Sequence, residues 1–134
     1  MSERLPEPRL EPEVVRQIRK GVAEFNAGKF FECHDTLEDV WLGMRGPARA
    51  FLQGLIQISV GFYHLRNGNS RGGESQLERG LKNLEPYHDG YLGMELAGLR
   101  REVEQWLERV RSGEPLRGTV ADLPKYRFHP PGGS

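Results

Sequence analysis

The chain has 134 residues, the length of one ordinary domain, enough to bury roughly two-thirds of its unfolded surface in a single core. Hydrophobic residues at 37% and charged residues at 28% exclude the composition of a disordered chain. Nineteen basic side chains balance nineteen acidic ones, so no global field gathers nucleic acid or an anionic membrane, and neither is expected as a partner.

The N-terminal stretch "MSERLPEPRLEPE" has no apolar core and does not read as a signal peptide. With Pro6, Pro8 and Pro12 and alternating charge, residues 1–11 are expected to form a loose arm. Pro12 suits the first turn of a helix, where a missing N–H is harmless. From there Val15, Ile18, Val22 and Phe25 follow the spacing of one helical face. "NAG" at 26–28 stops this first helix, with Gly28 suited to a left-handed cap.

The second helix is "FFECHDTLEDVW", residues 30–41, ended by "GMRGP". Cys33, the only cysteine, permits no intramolecular disulfide and suits a reducing cytoplasm. It has no adjacent Lys or Arg to lower its pKa, so it reads as core filler. Pro47 starts a third helix that runs to about Arg66, where "NGN" breaks the chain. Its stretch "AFLQGLIQISVGFYHL" is too short and too polar to span a bilayer. Ser70 can cap a fourth helix carrying Leu77, Leu81 and Leu84 as far as Pro86. Leu92, Leu96, Leu99, Val103, Trp106 and Val110 recur every three or four residues in a fifth, stopped by Gly113.

No run alternates with period two, so no sheet is expected. The tail, residues 114–134, is rich in Pro and Gly and is expected to lie extended over a helical domain formed by residues 1–113. A shift of forty residues superposes Val22 on Phe62, Gly28 on Gly68, Leu37 on Leu77, Glu38 on Glu78 and Trp41 on Leu81. Each copy is a helix, a Gly turn and a second helix. The expected fold is an all-α bundle of about five helices, two antiparallel hairpins closed by the fifth.

His34 and Glu38 stand out. At about 100° per residue, Phe30, Phe31, Cys33, Leu37, Val40 and Trp41 form one broad arc, with Glu32, Asp35, Thr36 and Asp39 opposite. His34 and Glu38 fall between Trp41 and Phe31, inside the apolar arc and one turn apart. The third helix is apolar nearly all round except for Gln53, Gln57 and His64, a stripe flanked by Gly54 and Gly61. The economical inference is that this stripe faces His34 and Glu38 across a helix contact. A buried carboxylate needs partners, which two imidazoles and two amides supply.

"FNAGKFFECHDTLEDVW", "GLIQISVGFYHLRNGN" and "LERGLKNLEPY" together resemble the small prokaryotic family known as domain of unknown function 309, over roughly residues 14–87. The resemblance implies an all-helical fold and no established activity. It places the family's recurring polar positions at Glu32, His34, Glu38, Gln57 and His64, with Asp35 where Glu is more usual.

Three readings of the constellation compete. The favoured one is a structural polar network that fixes helix register in a helical interaction module. A metal or small-ligand site is the second. His34, Glu38 and His64 match the two-His, one-carboxylate set of many catalytic zinc sites, so a divalent ion such as zinc is the cofactor this set would take. The chemistry would then be metal-assisted hydrolysis, with Glu32 as base only if the helix turned it inward, against the periodicity. The third is a helical scaffold for a protein partner or a second copy of the chain. His88 is expected to be solvated in a turn and His129 to be mobile in the tail. "GNSRGG" at 68–73 lacks the lysine and preceding strand of a phosphate loop.

Overall fold

The computed structural model describes residues 4–114 and 122–130. Among them are five α-helices: α1 (Pro12–Asn26), α2 (Phe30–Gly43), α3 (Pro47–Arg66), α4 (Ser70–Leu84) and α5 (Ala97–Arg111). No strand occurs among the described residues; one isolated antiparallel bridge joins Met94 to Phe128. The fold is an all-α bundle. The prolines at positions 12 and 47 open α1 and α3, where the fixed φ of the ring favours helix entry.

The forty-residue repeat is visible in the backbone. Gly28 and Gly68 end the first helix of each hairpin at φ of 79° and 80°, a left-handed conformation that costs other residues a Cβ clash. In the first turn Lys29 N–H donates to Glu24 O, and in the second Asn69 N–H donates to His64 O, both at 2.8 Å. The packing repeats as well. A Cβ on Gly21 would stand 2.7 Å from Leu37 Cδ2, and a Cβ on Gly61 would stand 2.7 Å from Leu77 Cδ2. Each hairpin therefore closes by seating a leucine of its second helix on a glycine of its first. Arg66 ties the two turns together, donating to Gly28 O and lying over the Phe30 ring at 4.4 Å.

The helix α3 contributes more buried residues than any other helix, from Ala48 and Phe51 through Ile58 to Phe62 and Leu65. Around it Phe25, Phe30, Leu37, Leu77, Leu99, Val103 and Trp106 complete one core. Cys33 is buried there beside Ser59, and burial pushes its thiol up to about 12. It packs as core filler, as the sequence predicts.

Two segments and two histidines differ from expectation. The fifth helix begins at Ala97 rather than near Leu92, because Gly90, Leu92 and Gly93 all take positive φ and a left-handed run cannot continue into an α-helix. The described part of the arm is docked rather than loose. Pro6 O accepts from the buried Tyr91 hydroxyl at 2.7 Å, and Glu7 Oε1 accepts from Leu92 N–H at 2.9 Å.

Of the tail expected at residues 114–134, residues 115–121 and 131–134 lie outside the described residues, and the described part is fastened to the bundle. Tyr126 is buried, stacks on Phe25 at 3.7 Å and donates to Leu55 O at 2.6 Å. Asn26 pairs with the Tyr126 backbone in both directions, at 2.8 and 2.9 Å. His129 is held rather than mobile: its N–H donates to Gly93 O at 2.7 Å and its Nε2 lies 3.1 Å from Asp89 Oδ1. His88 is largely covered, with Nε2 3.6 Å from Glu7 Oε2. Prolines prevent helix in these segments, but they do not prevent docking.

Candidate functional site

The orientation of α2 follows from the contact with Gly21. Seating Leu37 there buries Phe30, Cys33, Thr36, Leu37 and Val40. The buried arc is therefore rotated away from the one expected: Thr36 is inside, accepting from Lys20 Nζ at 3.2 Å, while Phe31 is 51% exposed. His34 and Glu38 consequently stand at the solvent edge of the helix. His34 is half-buried, Glu38 exposed.

The two side chains do meet, with His34 Nε2 3.1 Å from Glu38 Oε2, while Nδ1 lies 3.3 Å from Asp35 Oδ1. One imidazole thus sits between two carboxylates. Glu32 and Asp39 are exposed.

The polar stripe of α3 is only partly where it was expected. Gln57 turns to α4, accepting from Asn83 Nδ2 at 2.6 Å, and Gln53 is half-buried. Gly54 and Gly61 face α4 rather than α2, meeting Leu84 and Leu77. A glycine stripe marks a close approach without saying which neighbour makes it. The expected interior network of His34, Glu38, Gln53, Gln57 and His64 is not assembled around Glu38, because that carboxylate is exposed and Gln57 pairs with Asn83 of α4.

His34 and His64 do come together across the α2–α3 seam. They line an apolar dimple of about 140 Å³ with Phe30, Phe31, Val60 and Tyr63. His64 Nδ1 lies 3.4 Å from Asn69 Nδ2, whose Oδ1 caps α4 by accepting from Gly72 N–H. A wider hollow of about 330 Å³ adjoins the dimple, sharing Phe30, Phe31 and Tyr63 and reaching Lys29 and Arg66. Among the described residues no group of three or more His, Cys, Asp or Glu side chains is placed to hold a metal ion. His34, Glu38 and His64 do not form a three-ligand set.

The feature that sequence reasoning missed is the row Phe31, Asp35, Glu38 and Leu42. At spacings of four, three and four these residues line the outer ridge of α2. Phe31 is 51% exposed, Leu42 66% and Tyr63, beside Phe31 on α3, 36%. The Phe31 and Tyr63 rings are 5.6 Å apart. These are the large hydrophobic side chains exposed among the described residues. The signal was present in the repeat, because the residues forty positions on are Arg71, Ser75, Glu78 and Lys82, a polar ridge.

Residues 18–75 match the family model of the domain of unknown function DUF309. The match runs from the middle of α1 into the start of α4, so it takes in most of the first hairpin, α3 and the dimple. The resemblance read from the sequence is shown over these residues. The chain is 26% identical over 99 residues to an uncharacterized protein of Aquifex aeolicus, covering 73% of this chain and 30% of that protein. It is 27% identical over 106 residues to the uncharacterized protein YpuF of Bacillus subtilis, covering 76% of this chain and 61% of YpuF. The chain thus spans less than two-thirds of either relative. Among the described residues no helix is long and apolar enough to cross a membrane.

Proposed function

We propose that this chain is a helical interaction module whose contact surface is the outer face of α2 with the adjoining edge of α3. One observation carries the reading. Phe31 and Leu42 occupy positions that the second copy of the same hairpin fills with Arg71 and Lys82. The architecture therefore does not require apolar side chains there, and exposing them costs solubility unless something covers them. The dimple beside Phe31, comparable to the cavities of about 150 Å³ that hold a benzene ring, supports the same reading. It offers a seat for one aliphatic or aromatic side chain.

In this reading His34 positions Asp35 and Glu38 on the surface and performs no chemistry. A cytoplasmic setting goes with it, because Cys33 is the sole cysteine and sits reduced within the core.

Site-specific crosslinking in cells tests the proposal. A photoreactive phenylalanine analogue placed at Phe31 or Leu42 should yield a discrete crosslinked protein. The same group at Arg71 or Lys82 should not. Equal yields at all four positions, or none at any, would overturn the reading.

A further inference from the structure

The ridge itself indicates what kind of partner fits. Its two apolar ends, Phe31 and Leu42, are eleven residues apart, about 16 Å along the axis at 1.5 Å per residue. Between them stand Asp35 and Glu38, both exposed. Among the described residues neither carboxylate has a Lys or Arg within ion-pair distance, and their shared neighbour is His34. Two carboxylates thus share one imidazole at the centre of the ridge. Some carboxylates elsewhere are met by guanidinium groups, as Glu78 is by Arg111 at 2.9 Å and Glu102 by Arg127 at 3.4 Å. Lys29 and Arg66 lie beyond the Phe31 end, and Arg49 is engaged over the Trp41 ring at 3.8 Å.

We infer that the α2 ridge docks a partner helix bearing two apolar anchors about three turns apart with Arg or Lys between them. This rests on the contact role proposed above and adds the partner's chemistry to it. Such a helix lays its anchors against Phe31 and Leu42 and brings its cations to Asp35 and Glu38. Both are rows that a straight helix presents on one side. The charge between the anchors sets orientation and selects against acidic helices, since like charges brought together across an interface are costly.

The test uses the full chain, labelled with nitrogen-15, and three synthetic Ala-based helices of about 18 residues, long enough to present anchors eleven residues apart. One carries two Leu at that spacing with two Arg between them, the second has Glu for Arg, and the third has Ser for Leu. The Arg peptide should shift amides of α2 and the neighbouring edge of α3. The Glu and Ser peptides should bind about tenfold more weakly or worse, a difference of about 1.4 kcal/mol. In the Asp35→Lys, Glu38→Lys double variant, whose spectrum also reports that it is folded, the Glu peptide should become the preferred one.

Equal binding of the Arg and Glu peptides, shifts on another face, or no binding by any peptide would overturn the inference. Crosslinks at Phe31 and Leu42 that persist while the peptides fail would remove the basic helix and leave the contact face standing. Loss of both would remove the face as well.

Discussion

The two hairpins share a plan but close it differently. In the second, Gly54 and Gly61 of α3 meet Gly73 and Gly80 of α4, so close that a Cβ on Gly80 would stand 2.9 Å from Gly54 O and one on Gly73 would stand 3.1 Å from Gly61 O. The first hairpin has Val14, Gly21, Cys33 and Val40 at the corresponding positions. Only Gly21 remains, and its would-be Cβ meets side chains of Leu37 and Thr36 rather than backbone. Both copies seat leucine on glycine, but the second adds backbone contact, and the first instead adds the tail that stacks Tyr126 on Phe25. The outer faces differ in the opposite sense, polar on α4 and apolar at its ends on α2. The copy with the tighter seam has the ordinary surface, and the copy with the looser seam carries the candidate site.

Removing the tail's anchor should weaken this arrangement most. Tyr126→Ala deletes a fully buried ring next to Phe25 and should cost about 3–5 kcal/mol, the range for large aromatic truncations, read from urea unfolding. Tyr126→Phe should cost about 1 kcal/mol, for the single hydrogen bond to Leu55 O.

The glycine seams come next. Gly80→Ala forces a methyl group against backbone and should cost about 1–3 kcal/mol from overpacking, partly offset by about 1 kcal/mol of helix propensity. Gly21→Ala meets a leucine side chain that can shift, and should cost less. Equal losses would erase the distinction between the seams.

The caps supply a smaller contrast. Asn69 caps α4 with its side chain, whereas Lys29 at the same place before α2 makes no side-chain cap. Asn69→Ala should cost about 1 kcal/mol in the midpoint of thermal unfolding, and Lys29→Ala should be close to neutral.

Glu38→Ala should have the smallest effect. A pair exposed as this one is contributes about 0–1 kcal/mol, where an interior network would have lost about 1–3 kcal/mol by stranding buried donors. Chemical denaturation distinguishes the two.

The frame of the molecule was legible because its punctuation is chemical. Pro12 and Pro47 suit helix starts, Gly28 and Gly68 suit left-handed helix ends, and Leu37 with Leu77 marks the repeat. The site was less legible, for a geometric reason. His34 and Glu38 lie at the edge of an apolar arc, and a modest rotation of α2 moves an edge from interior to surface. That rotation is set by Leu37 settling on Gly21, a contact between two helices that periodicity along one helix does not contain. Likewise Pro124 and Pro130 announce that the tail is not helical, but nothing local announces that Tyr126 stacks on Phe25. The exposure of Phe31 was obscured by its place in the apolar arc, and comparison with Arg71 would have separated it.

The central claim is that the apolar ends of the α2 ridge serve contact rather than folding. The double variant Phe31→Arg, Leu42→Lys gives the first copy the side chains of the second, and its unfolding free energy tests the claim most directly. The account predicts a value within about 1 kcal/mol of the parent, as for surface substitutions away from special features. A loss of about 3 kcal/mol or more, the scale of a core truncation, would make Phe31 and Leu42 parts of the fold and contradict it.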